Sequence, residues 1–258
     1  VSSPALRPPG RPVVMIGRSQ DVVLAGAGAT LTARERDRAA RLPAGARRTD
    51  YLAAHILVRL CAARLTGIPV RDLEIRQTCD ECGARDHGRP FVPGWPDLGV
   101  SLSHTRGAVA AVAGWGVVGV DVENAAEATA FDRRVAHRVL TAAELRAVEG
   151  SRDPGRAFLS LWVRKEALIK TGGATVGTLR HTDVSAPAET GGRGWSVHAY
   201  AGRYLADWAS EDGSLMAAAV TDRPPDLVAV PRPGRTGGDP AARACAGPPN
   251  PERTTNHV

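Results

Sequence analysis

Apolar and polar positions follow two rhythms along this chain, and the changes of rhythm mark its elements. Over 158–173, FLSLWVRKEALIKTGG, the apolar residues Phe158, Leu161, Leu168 and Ile169 recur at helical spacing. Asp153 offers an N-cap, Pro154 suits the first turn and Gly172-Gly173 can end the last one, so both ends of this helix are legible. A second apolar helix is predicted over 48–65, with Leu52, Ile56 and Leu60 one above another and Gly67 then Pro69 as its stop. Thr32 with Glu35, and Thr141 with Glu144, are capping-box pairs; the first opens a polar helix that ends before Pro43. A further helix is predicted over 131–139. Alternation and β-branched runs predict strands at PVVMIG, DVVLA, LEIR, GVSLSHT, AVAAVAGW and VVGVDVE, then at WSVHAYAG, RYLADWAS and SLMAAAVTD. Glycine-rich breaks between GVSLSHT, AVAAVAGW and VVGVDVE suggest successive hairpins of one antiparallel sheet.

Helices followed by a run of strands thus occur twice. That order predicts an α+β fold of two halves, 13–115 and 116–223, each an antiparallel sheet packed with helices. The Pro-rich segment 1–12 and the Pro/Gly-rich segment 224–258 are expected to be disordered tails. At 258 residues, with 43% hydrophobic and 23% charged residues, the chain suits a soluble globular protein. No apolar run reaches the length of a membrane span and the N-terminal stretch lacks a signal-peptide hydrophobic region, so a cytoplasmic protein with no membrane partner is expected. The formal charge of +6 favours anionic partners.

The chemistry sits in four stretches. In GVDVEN, Asp121 and Glu123 are two residues apart, so on a strand they share one face while Val120 and Val122 take the other. Adjacent carboxylates on one face suit a hard divalent cation, although a solvent-facing edge strand would look the same. On the helix, Trp162, Glu166 and Lys170 lie four apart in one stripe, so Glu166 can add a third carboxylate and Lys165 and Lys170 can meet phosphate oxygens. SLSHT places Ser103 and His104 at a strand end, and HGRPF adds Arg89 as a loop cation. No Walker loop and no dinucleotide fingerprint is present.

HGRPF, SLSHT, GVDVEN and FLSLWVRKEALIK, in that order and at these separations, resemble the signature set of the Sfp-type 4'-phosphopantetheinyl transferases. The resemblance covers about 47–173 by motif and extends to 221 by strand pattern. It implies a pseudo-dimer of two similar α/β halves with the active site in the cleft between them. It implies transfer of the phosphopantetheine arm of coenzyme A to a serine of an apo acyl or peptidyl carrier protein, with Mg²⁺, releasing adenosine 3',5'-bisphosphate. Asp121, Glu123 and Glu166 would then be metal ligands. Lys170 would meet the pyrophosphate, with Lys165 assisting, and either Glu166 or a metal-bound water near Asp121 would take the acceptor's proton. His104, Ser103, Arg89 and, more loosely aligned, Arg48 beside Arg47 would bind the nucleotide end. An acidic carrier and a monomeric enzyme are the implied partner and state.

Two features stand outside that pattern. After Lys170 the chain runs TGGATVGTL where the family tends to Gly-x-Gly-Leu. Cys79 and Cys82, with His87 five residues on, make half a zinc site by spacing; Cys61 or another His would have to complete it, and otherwise the loop is a tight turn with two free thiols. Two rival readings follow: a Mg²⁺-dependent phosphoesterase using the same carboxylates, and a basic zinc- or nucleic-acid-binding module. Against the last, only 4% of residues are aromatic, too few for stacking platforms, and no nucleic-acid partner is expected.

Overall fold

The computed structural model describes residues 10–26, 28–79, 82–84, 88–126, 132–185 and 194–231. The chain enters through strand β1 (Val13–Arg18) and three helices, α1 (Ser19–Ala25), α2 (Ala33–Arg41) and α3 (Ala46–Thr66). Two short strands, β2 (Arg76–Thr78) and β3 (Arg89–Phe91), precede a long hairpin of β4 (Leu98–Thr105) and β5 (Ala108–Trp115). Strand β6 (Val118–Asn124) leads to α4 (Arg133–Val139), α5 (Ala142–Glu149) and α6 (Pro154–Lys170). Then come β7 (Trp195–Tyr200), β8 (Arg203–Ala209), β9 (Leu215–Thr221) and the two-residue β10 (Asp226–Leu227). The architecture is α+β, with two sheets ordered β10-β1-β5-β4-β3-β2 and β6-β9-β8-β7. All pairings are antiparallel except β1 with β10.

Three apolar clusters hold these layers in the order helix, sheet, sheet, helix. Helix α3 lays Ala54, Leu57, Val58 and Cys61 on Met15, Val109 and Ala111 of the first sheet. The opposite face of that sheet, through Val14, Ala110 and Val112, meets Val120, Val122, Ala217 and Ala219 of the second. The far face of the second sheet, through Leu205, Ala218 and Val220, is covered by Leu161, Val163 and Leu168 of α6. Strand β6 is therefore buried on both sides. Gly119 lets α6 come this close: a Cβ there would lie 2.1 Å from Ala167 O.

Both capping boxes form as expected, as do the Asp153 cap and Pro154 start of α6 and the left-handed Gly67 end of α3. Four expectations change. DVVLA is part of α1, a helix that buries Val22 against α3; a five-residue apolar run does not distinguish helix from strand. The strand expected at LEIR starts at Arg76, because 70–72 form a 3₁₀ turn and Leu73 and Ile75 turn into the α3 core. Only β4 and β5 of the three expected hairpin strands pair; β6 crosses to the second sheet and pairs with β9. Residues beyond 224 are not wholly tail: Asp226 N–H donates to Pro12 O and Val228 N–H to Val14 O, closing β10 onto β1. Residues 232–258 and 1–9 lie outside the described residues. Among the described residues no helix is long and apolar enough to cross a membrane.

One buried network ties α2 to α3. The Glu35 carboxylate accepts from Arg59 at 2.9 and 2.7 Å and lies 2.7 Å from His55 Nδ1. Burial alone would raise the Glu35 pKa, but hydrogen bonds from His55 and Arg59, with their charge, hold it down to about 2. A carboxyl depressed on folding stabilises above its unfolded value and loses that contribution as pH falls through the folded one. The chain should therefore lose about 3 kcal/mol of stability between pH 5 and 2 from this group. Urea unfolding across that range checks it: Glu35→Gln should be less stable at pH 7 and converge with the native chain near pH 2.

Candidate active site

Asp121 stands midway along β6, on the same face as Gly119 and Glu123 and turned toward α6. Its side chain is buried, 4% exposed. Lys170, the last residue of α6, donates to Asp121 Oδ1 at 2.8 Å and to Val120 O at 2.9 Å. From the first sheet, Ser103 Oγ donates to the same Oδ1 at 2.7 Å. Val120 N–H also reaches Ser101 Oγ at 3.3 Å, so the polar seam between β4 and β6 is double. Asp121 Oδ2 is buried and, among the described residues, has no hydrogen-bond partner. Such an oxygen costs roughly 1–3 kcal/mol unless something completes it.

Glu123 and Glu166 share this neighbourhood. Burial, then the charge of Asp121 and that of Glu166, push the Glu123 carboxyl upward, against a hydrogen bond from Trp162 and the pull of Lys170. Burial and the charge of Asp121 likewise raise Glu166, opposed by Lys170. Three carboxylates thus face one lysine, an excess of negative charge that a cation would relieve. Among the described residues, no three His, Cys, Asp or Glu side chains gather closely enough to cage an ion by themselves. The arrangement fits a cation that takes one or two carboxylates and completes its shell with substrate oxygens, as Mg²⁺ does.

Beside this cluster opens a cavity of 440 Å³ lined by Gln77, Cys79, Arg89, Ser101, Leu102 and Lys170. The Arg89 guanidinium lies against the end of α6: a Cβ at Gly172 would sit 2.6 Å from its Nη2. Two cations, one from each half of the chain, therefore border one space. His104 alternates with Ser103 and so points away from Asp121 at the exposed end of β4. Its surroundings still desolvate it, and that burial, with the positive fields of His55, Lys170 and Arg38, lowers its pKa against the opposing charge of Asp50.

Residues 117–222 match the family model of the 4'-phosphopantetheinyl transferase superfamily. This segment belongs to that superfamily. No curated protein matches the chain. The phosphopantetheinyl transferase segment spans β6 to β9 and contains Asp121, Glu123, Glu166 and Lys170, whereas Arg48, Arg89, Ser103 and His104 precede it. The structure nonetheless brings Ser103 and Arg89 to the transferase segment, through Asp121 and Gly172 respectively.

Two expected site residues are occupied elsewhere. Lys165 is fully buried, paired with Glu144 at 2.8 Å and donating to Leu179 O and Thr182 O at 3.0 and 2.6 Å. It lies four residues after Leu161 and three before Leu168, on the apolar face of α6, so its charge serves the core of the transferase segment. Arg48 donates to Leu42 O and Ala40 O and closes the C-terminus of α2. Of the zinc ligands considered, Cys61 is buried beneath the first sheet with its thiol on Ala111 O, and His87 lies outside the described residues.

Sequence reasoning missed an arginine cluster. Arg34, Arg38 and Arg76 line a second cavity, of 510 Å³, together with Tyr51, Thr78 and Phe91. The Arg38 guanidinium stands 5.9 Å from the Tyr51 ring centroid. The available signal was Arg34 and Arg38 four apart on α2, which by itself reads as a solvated helix face.

Proposed function

We propose that the chain transfers the 4'-phosphopantetheine arm of coenzyme A to a serine hydroxyl of an apo acyl or peptidyl carrier protein, releasing adenosine 3',5'-bisphosphate. The observation that carries this reading is the buried Asp121 of the superfamily segment, one oxygen unpartnered, beside Lys170 and two carboxyls held high. The two halves, each a helix-covered antiparallel sheet, are read as a pseudo-dimer with the substrates at their junction.

One or two of the carboxylates of Asp121, Glu123 and Glu166 would hold Mg²⁺, with substrate oxygens completing its shell. When bound, the ion neutralises pyrophosphate charge and polarises the phosphorus under attack. Lys170 exchanges its bond to Asp121 for a phosphate oxygen, and Arg89 binds across the same cavity. The serine oxygen bonds to the pantetheine-side phosphorus while the bridging P–O bond breaks and the nucleotide departs with that oxygen. Glu166, half-buried with a raised pKa, accepts the serine proton. Ser103 holds Asp121 in register, and His104 with the nearby arginines receives the nucleotide's 3'-phosphate. The net charge of +6 favours encounter with an acidic carrier.

Chromatography of the nucleotide products tests the reaction: adenosine 3',5'-bisphosphate should appear only when coenzyme A and an apo carrier are both present. Calorimetry tests the nucleotide end. Dephospho-coenzyme A should bind about 1.5–3 kcal/mol more weakly than coenzyme A, the size of one charge-assisted contact. His104→Ala should remove most of that difference; equal affinities in the native chain would place the 3'-phosphate elsewhere.

A further inference from the structure

The face that the first sheet turns to the second is apolar at Val14, Ala110 and Val112. Ser101 breaks that pattern. It stands opposite Val112 in the β4–β5 ladder, on the same face, and is only 4% exposed. A buried hydroxyl is costly unless it is hydrogen-bonded, and it has two separate capacities, one as acceptor and one as donor. As an acceptor Ser101 Oγ is engaged, by Val120 N–H at 3.3 Å. As a donor it is not: none of the described residues accepts its hydrogen. Ser103, two residues on, shows the contrast, since its hydroxyl is committed to Asp121 Oδ1 at 2.7 Å.

Strand β6 is an edge of its sheet and is bonded within it to β9 alone. The N–H and C=O of one strand residue point to the same side, so both polar groups of Val120 face that free edge. Ser101 meets the N–H at 3.3 Å and Lys170 Nζ meets the C=O at 2.9 Å. A hydroxyl and an ammonium thus stand side by side over a single residue, the one before Asp121. Both Ser101 and Lys170 line the 440 Å³ cavity, and Arg89 shares its wall. A space bordered by two cations draws an anion. With its oxygen fixed by Val120, the hydroxyl keeps only the direction of its hydrogen to turn, and an anionic oxygen is the acceptor it lacks.

We propose that Ser101 is a further substrate-binding residue, its hydroxyl donating to a phosphoryl oxygen of the ligand that Lys170 and Arg89 hold in this cavity. That the ligand is coenzyme A, and the oxygen one of its pyrophosphate, rests on the function proposed above; the unused donor beside two cations does not. The contact is a hydrogen bond and moves no proton. Through Val120 it also ties the ligand's phosphate to the strand that carries Asp121. Were Ser101 present only to satisfy Val120 N–H, its loss would lower stability and leave ligand affinity untouched.

Calorimetry of the full chain with coenzyme A and Mg²⁺, native and Ser101→Ala, tests this at a temperature where a melt shows both folded. Ser101→Ala should raise the coenzyme A Kd about tenfold, the loss of one charge-assisted contact. The midpoint of a Mg²⁺ titration at saturating coenzyme A should stay where it is. An unchanged Kd overturns the proposal. So does a Kd that rises only together with a weaker Mg²⁺ midpoint, which would make Ser101 a positioning residue for Asp121. Should Ser101→Ala not fold, Ser101→Cys carries the same test, because a thiol has a similar shape and is a poor donor. If the native chain binds no coenzyme A, the functional reading fails instead. Inorganic pyrophosphate then decides the inference: weaker binding to the variant supports it, and equal or absent binding sinks it.

Discussion

Asp121→Ala should abolish transfer, by at least about a thousandfold, while the chain stays folded. A loss of that size is about 4 kcal/mol of transition-state stabilisation, within reach of one preorganised charged group. Stability should change little for a physical reason. Asp121 buries an oxygen that none of the described residues satisfies, so its removal relieves a desolvation cost even as it frees Lys170 and Ser103. Lys170 keeps Val120 O and is partly exposed, so its charge is not stranded. A thermal melt beside the transfer assay separates the two effects. A variant that is inactive because it is unfolded would point to a structural role for Asp121 instead.

Glu166→Gln should lower turnover by a hundredfold or more and at the same time stabilise the chelated protein at neutral pH. The sign follows from the raised carboxyl. Burial and the charge of Asp121 hold its proton to higher pH in the folded chain than in the unfolded one. Such a group stabilises the fold below its unfolded pKa, and that contribution is lost as pH rises through the folded value. Once ionised, the glutamate is thus a liability that a neutral glutamine lacks. A variant with lower activity and a higher melting temperature in EDTA is the expected signature of a base kept at a cost to the fold. Unchanged turnover would remove Glu166 from the proton path.

What could be read in advance was set by local periodicity. Asp121 with Glu123 follows the period of a strand, Glu166 with Lys170 that of a helix, and the two capping boxes and the Asp153-Pro154 start are short-range chemistry. All survive folding because each lies within one element. The misreadings lie where distant partners decide. DVVLA becomes helical through packing on α3, and β6 leaves its expected hairpin for β9, nearly a hundred positions further on, a pairing that local pattern does not encode. Lys165 flanks Glu166 as a phosphate ligand would, yet Glu144 claims it in the core. The Ser103–Asp121 bond and the grouping of Arg34, Arg38 and Arg76 likewise depend on how the layers stack.

The central claim is that this constellation moves phosphopantetheine from coenzyme A to a carrier with the help of a divalent cation. Its most direct test is the intact mass of an apo carrier protein after incubation with the chain and coenzyme A, with Mg²⁺, with EDTA, and with EDTA followed by excess Mg²⁺. One phosphopantetheine should be added per carrier in the first and third samples and none in the second. Full modification in EDTA would contradict the role given to Asp121, Glu123 and Glu166, and an unmodified carrier in all three, across acyl and peptidyl carriers, would contradict the function itself.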